Sequence, residues 1–410
     1  MKRLLPLLLL PLLCAPSRPQ ETEAPVWGFF GHKRINRLAL FTLPEELFGF
    51  YKPNLDYVTE HAVDPDKRRY ATEFEGPRHY IDLDVYGPYD PKNPYPDVPR
   101  RWSAALEKYA TFQLVTPAFD TLALLADGAL PGDSVFIRLE TANYPVARRT
   151  YTDFFRSSVL PNRYAETWSV DCDSLRRVLN APELDCTELT TQTAFAEEGI
   201  LPWFVPEQMR RLTRAFEQRD VERILRYTAD LGHYLGDAHV PLHTTKNYNG
   251  QLSGQRGIHA FWESRIPELF ADEEWDYWTG PARYIEDVET WIWDIVLESH
   301  SHVDSVLLIE ADLRNRIPED NQMCYVNRGG VNQFLQCEDF ARAYAERMRG
   351  MVEQRFRASI RAVGSAWYTC WVDAGRPDLS PEALRPPPTQ DEVVERAFEK
   401  GKIRGRSHGD

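Results

Sequence analysis

The sequence predicts an all-α fold, built as a single multi-helix domain, and three observations carry that reading. Residues Val221, Ile224, Leu225, Thr228, Leu231, Gly232 and Leu235 recur at helical spacing behind Asp220, a residue suited to cap a helix. Trp27–Asp84 reads as helices joined by short loops, and Trp291–Leu308 and Phe334–Val363 read as further helices. Finally, His233 and Asp237, and again His259 and Glu263, stand four apart, which is one helical turn. A chain of 410 residues with 43% hydrophobic content is long enough for one large domain or two with a real core.

In chain order, Met1–Leu13 sets Lys2 and Arg3 ahead of a leucine run and then small residues. This is the pattern of a secretory signal ending near residue 17, too short at about 10 apolar residues to span a bilayer. Leu13 before Cys14 is too large for the usual lipoprotein pattern, so export without a lipid anchor is expected. No other stretch is apolar and long enough to cross a membrane. Loss of the signal moves the formal net charge from −14 to about −16, so the chain has no general attraction for polyphosphate backbones. Among six cysteines, Cys172 lies close to Cys186 and Cys324 close to Cys337, reasonable short-loop disulfides in an exported protein. Cys370 is then left over, buried and free.

His61, Asp64, Asp66 and Lys67-Arg68-Arg69 form a charge-dense turn, where Asp64 taken alone reads as a cap or an ion-pair partner. Residues 85–105 are rich in Pro, Tyr and Asp and read as irregular loop, and Trp102–Leu125 reads as helix. Pro145–Gln192 mixes aromatic and acidic residues with the first cysteine pair. Gly199-Ile-Leu-Pro-Trp-Phe-Val-Pro leads into a helix starting near Pro206. The helix behind Asp220 then carries His233 and Asp237 on the side opposite its apolar stripe. Pro241 stops it, and the turn beyond can aim His243 at a second ion nearby. Two helical pairs and a hinge histidine point to a metal cluster rather than one structural ion. From Ala374 onward Pro and charge dominate, so 377–410 reads as a loose extension with a possible short helix near Asp391–Lys400.

These motifs resemble the superfamily of zinc-dependent phospholipases C and single-strand-specific nucleases of fungal and plant type. Trp27 and His32 in Trp-Gly-Phe-Phe-Gly-His, Asp64, His79 in Arg-His-Tyr-Ile-Asp, His233, Asp237, His243, and His259 and Glu263 in Ile-His-Ala-Phe-Trp-Glu carry the resemblance. It covers roughly residues 27–83 and 200–270. It implies an all-helical domain over 27–376 around a trinuclear zinc cleft, while 85–199 departs from the pattern and is read as an insertion at the cleft rim where substrate choice is made, a separate small domain being the alternative. It further implies one zinc held by Asp64, His79, His233 and Asp237, and a second by His243, His259 and Glu263. A third would be shared by Trp27, His32 and Asp237. Asp64 would orient a water activated by the paired ions or accept its proton, and the water would attack phosphorus. Tyr80 and Asp82 would line the substrate pocket. His61, His239, His300 and His302 match no position of the pattern and are read as core or surface residues.

The resemblance implies that the third site uses a free amine on Trp27. If Gln20–Val26 remain attached, that amine becomes an amide and the site loses a ligand. The substrate features conflict. Glu263 and His-Tyr-Leu-Gly-Asp resemble the phospholipase branch; the Trp27–His32 interval, the Asp64–His79 interval and Trp262 resemble the nucleases. A phospholipid headgroup is the favoured substrate, with single-stranded nucleic acid or nucleotide as the alternative. An exported zinc-binding protein without turnover is a third reading. Oligomeric state is not read from the sequence.

Overall fold

A computed structural model describes residues 29–384, apart from residues 73, 110, 117–120, 128–133, 140–141, 161–167, 193–196, 329 and 382. The signal segment, Trp27, the proposed helix near Asp391–Lys400 and most of the 377–410 extension therefore lie outside the described residues. The chain is mostly helical. Its first part comprises α1 (Phe29–Leu40), α2 (Glu45–Tyr51), α3 (Leu55–Glu60), α4 (Asp64–Arg68) and α5 (Trp102–Tyr109). After α6 (Arg148–Phe154) and α7 (Cys172–Leu179) come the long antiparallel neighbours α8 (Leu201–Gln218) and α9 (Val221–Ala238). The remainder is α10 (Ile258–Ala260), α11 (Ile266–Glu274), α12 (Val288–His300), α13 (Val303–Arg316), α14 (Glu338–Arg347) and α15 (Met351–Asp373).

The inserted region corrects the all-α expectation. Six strands, β1 (Thr111–Val115), β2 (Thr121–Asp127), β3 (Ser134–Leu139), β4 (Ala142–Ala147), β5 (Trp168–Val170) and β6 (Glu188–Gln192), form one antiparallel sheet in the order β4-β3-β2-β1-β6-β5. The expected helix over Trp102–Leu125 ends at Tyr109. Beyond it Phe112 and Leu114 are buried with a period of two among β-branched Thr111 and Val115. The sheet is not a separate module: Phe112, Leu114, Ile137 and Leu189 belong to the same apolar cluster as Leu231 and Trp367. A second departure is the hairpin of β7 (Met323–Arg328) and β8 (Val331–Gln336).

Helix boundaries follow local chemistry. The Asp220 carboxylate accepts the Arg223 amide at 3.1 Å and caps α9, an interaction worth about 1 kcal/mol. α8 starts at Leu201, earlier than expected, with Pro202 in its first turn. The expected Trp291–Leu308 helix is two helices, broken at Ser301–His302. Phe334–Val363 is likewise divided into β8, α14 and α15, the last beginning after Gly350 at φ +79°. Disulfides Cys172–Cys186 and Cys324–Cys337 form, and Cys370 is free and buried. Among the described residues, no helix is long and apolar enough to cross a membrane.

α9 is the central rod, flanked by α1, α3, α8 and α15. Two glycines permit α1 to come close. A Cβ on Gly232 would stand 2.0 Å from the Asn36 side chain, and one on Gly236 would stand 2.7 Å from His32 Nδ1. Asn36 uses that proximity to donate to the Ala229 carbonyl at 3.1 Å. Ala is ordinarily the better helix residue by about 1 kcal/mol. Here the sign should reverse, because overpacking costs about 1–3 kcal/mol. Gly232→Ala is therefore expected to lower the melting temperature; an unchanged or higher value in thermal denaturation would refute the close-contact account.

Candidate metal centre

α9 delivers His233 and Asp237 from one face, both essentially inaccessible to solvent. α1 adds His32, whose Nε2 lies 3.2 Å from Asp237 Oδ1 and whose ring stacks on His233 at 3.8 Å. The 3-10 turn Gly76–His79 brings His79 Nδ1 to 3.0 Å from Asp237 Oδ2 and 3.0 Å from His233 Nε2. The turn Pro241–Thr244 that ends α9 presents His243, with Nε2 3.8 Å from Asp237 Oδ1 and 3.1 Å from Glu263 Oε1. His259 Nε2 meets the other Glu263 oxygen at 2.5 Å. The π-helical turn Phe261–Arg265, directly after α10, sets Glu263 inward.

The imidazoles are held from behind. His233 Nδ1 donates to the Ala62 carbonyl at 2.8 Å, His243 Nδ1 to the His79 carbonyl at 2.6 Å, and His259 Nδ1 to the Tyr248 carbonyl at 3.2 Å. In the neutral imidazole each bond leaves Nε2 as the lone-pair nitrogen, and in all three that nitrogen points at carboxylates of the cluster. Convergent imidazole nitrogens and carboxylate oxygens are the donor set of zinc and similar divalent ions. Three groups of ligand atoms come together in this way: His32, His233 and Asp237; Asp66, His79 and His233; and His243, His259 and Glu263. These groups could hold metal ions.

One expected ligand is corrected. Asp64 does not reach the cluster. Its carboxylate binds His61 Nδ1 at 2.5 Å and Lys67 Nζ at 2.8 Å on the open side of α4. Although partial burial opposes it, those two partners hold the Asp64 carboxyl below its ordinary range. Asp66 stands inside instead, its Oδ1 3.7 Å from His233 Nε2 and 3.9 Å from His79 Nδ1. Residues two apart on a helix point nearly opposite ways, so α4 can turn only one of these carboxylates inward. His61 is accordingly the partner of Asp64 at the surface. Buried His239 donates to the Leu235 carbonyl at 2.7 Å, and burial beside Arg355 pushes its pKa down to about 3. His300 bonds Tyr95 and Thr244, and half-buried His302 begins the turn into α13. Trp27 lies outside the described residues.

Sequence reasoning also missed Glu75. It is 1% exposed, receives hydrogen bonds from Tyr234 and from Arg78 at 2.8 Å, and faces His79 Nε2 at 3.7 Å. It stands four before His79, the interval of the His233–Asp237 and His259–Glu263 pairs, but its other partners come from α4 and α9 and show only in the fold. Tyr80 donates its hydroxyl to the Glu197 carbonyl at 2.8 Å. Asp82 sits beside His243, mostly buried, and burial together with Glu198 and Asp84 raises its pKa to about 7.

Burial alone would lower the His233 and His243 pKa values, but Asp237, with Asp66 and Glu263 respectively, lifts each to about 9. For His32, burial and the His233 charge prevail, and its pKa falls. The Asp237 carboxyl is held well below its usual range because the cationic His233 and His243 outweigh the cost of burial. No protein-family model matches the chain, and no curated protein matches it.

With folded values near 9 against 6.5 unfolded, these two histidines stabilise the metal-free protein fully below pH 6.5. That contribution disappears as pH rises through 9. Zinc uptake at pH 7 should therefore release protons, and affinity should rise toward pH 9. Calorimetry in buffers of differing ionisation enthalpy checks this, and uptake without proton release would contradict it. In parallel, Asp66→Asn should lower bound metal while Asp64→Asn leaves it intact, as read by metal analysis of the purified variants.

Proposed function

We propose that the chain is a zinc-dependent phosphodiester hydrolase, with a phospholipid as the favoured substrate. The observation that carries this reading is the convergence of His32, Asp66, His79, His233, Asp237, His243, His259 and Glu263, three of the imidazoles fixed from behind by backbone carbonyls. Bound there, divalent ions would supply Lewis acidity toward a phosphoryl oxygen and lower the pKa of water. His79 and His233, with Asp66 and Asp237, would hold one ion. His243, His259 and Glu263 would hold the next, and His32 would join Asp237 and His233 at a third. Asp66, at the edge of the cluster, is the carboxylate suited to orient the attacking water and accept its proton at Oδ1.

Charge at the rim favours the phospholipid. Asp82, Asp84 and Glu198 gather beside His243, and the positive charges acting on Asp82 are Lys246, 3.8 Å from Glu198, and His243. Such a rim repels a polyanionic strand and accommodates a phosphodiester whose other end is cationic. The nuclease reading retains support from Tyr80 and Asp82, an aromatic ring and a carboxyl next to one another at the same rim.

Phosphatidylcholine vesicles and single-stranded DNA, each with and without a chelator, separate the readings. Chelator-sensitive release of phosphocholine is expected, and Asp66→Asn should slow it by about 10²–10⁴-fold. Chelator-sensitive cleavage of DNA alone would transfer the proposal to a nuclease. Metal retention with turnover of neither would leave a zinc-binding protein.

A further inference from the structure

The geometry points to Glu75 as a positioning residue that makes His79 a ligand through Nδ1, opposite to the other histidines of known orientation in the centre. This rests on the metal-centre reading above. His233, His243 and His259 each spend Nδ1–H on a backbone carbonyl and offer Nε2. His79 is turned the other way: Nδ1 points at His233 and Asp237, both at 3.0 Å, and Nε2 points at Glu75. For Nδ1 to give a lone pair to an ion, the ring proton must reside on Nε2. The only acceptor facing that nitrogen among the described ion pairs is Glu75 Oε1, at 3.7 Å, a charge contact longer than a hydrogen bond that closes when the Nε2 proton is donated to it.

Glu75 is itself fixed. Tyr234 donates to Oε1, Arg78 donates to Oε2 at 2.8 Å, and Arg68 reaches Oε2 at 3.4 Å. Arg68 is braced in turn by Asp230 at 3.1 Å and the Tyr234 hydroxyl at 3.2 Å. A carboxylate gripped on three sides and almost fully buried has little freedom to turn away from the imidazole. It therefore selects the tautomer, sets the ring plane and raises the donor strength of Nδ1. Among the described residues no backbone carbonyl accepts a hydrogen bond from His79 Nε2.

Glu75→Gln keeps the shape and removes the charge. It is expected to weaken zinc binding by about 10- to 100-fold. In zinc-loaded wild-type protein, ring nitrogen NMR shifts should show a metal-bound Nδ1 and a protonated Nε2 on His79. Glu207→Gln is the structural control. It removes a mostly buried carboxylate paired with Arg210 at 2.7 Å and Arg211 at 3.0 Å on α8, outside the centre, so it should lower the melting temperature but leave zinc affinity and the His79 shifts unaltered. Zinc bound through His79 Nε2, or Glu75→Gln with wild-type zinc affinity, would overturn the inference alone. No zinc binding by the wild-type protein would overturn the metal reading and this inference with it.

Discussion

The Asp237 carboxylate is the constraint around which the structure is arranged. It is an anion at 2% exposure, and its two oxygens lie 3.0–3.8 Å from imidazole nitrogens of His32, His79, His233 and His243. A charge so far from water is tolerated only when positive charge and hydrogen-bond donors surround it. Those partners come from α1, the Gly76–His79 turn, α9 itself and the turn beyond it, so one buried anion dictates where four segments meet. The glycines of α9 serve the same end, since a side chain at 236 would occupy the space of the His32 ring.

The apolar residues separate into two clusters with this polar centre between them. Ile35, Leu231 and Leu235, from α1 and α9, belong to the larger. Val240, Leu242, Ile258, Phe261 and Trp262, which flank His243, His259 and Glu263, belong to the smaller, shared with α13 and α14. Ions held across His233, Asp237 and His243 would add a link between two cores that Trp275 also touches. Binding energy at such a position becomes folding energy, so the centre bears on stability as directly as on chemistry.

What the sequence made legible was local. The Asp220 cap, the helical stripe of α9, the break at Pro241 and the two short-loop cysteine pairs each depend on neighbours within about one element, and each appears in the structure. The six-stranded sheet was hidden because its strands are five or six residues or fewer in most cases, too short for periodicity to separate them from helix fragments. The choice between Asp64 and Asp66 was hidden for a different reason. Both lie on a five-residue helix, and only the packing of α4 against α9 decides which one faces the histidines. Glu75 stands four before His79, yet that interval alone did not single it out, because its significance comes from Tyr234 and Arg68, which only the tertiary fold brings to it.

The run from His79 to Asp82 ties the inserted region to the candidate metal centre. On one side the Ile81 amide donates to the His243 carbonyl at 2.9 Å, while His243 returns a bond to the His79 carbonyl. On the other side the Asp82 amide donates to the Glu198 carbonyl at 2.7 Å, and the Leu201 amide to the Tyr80 carbonyl at 3.1 Å. The same four residues thus lock the hinge histidine to the point where the chain returns from the sheet into α8. Glu197 and Glu198 belong to that return, and Glu198 is the first neighbouring charge acting on the Asp82 carboxyl. A change in the sheet that shifts residues 197–200 must therefore move the acidic rim and the backbone behind His243 together. The acidic rim and the backbone behind His243 are for this reason parts of one backbone ladder, which joins the end of the inserted region to the candidate centre although the described part of that region supplies none of the grouped ligands.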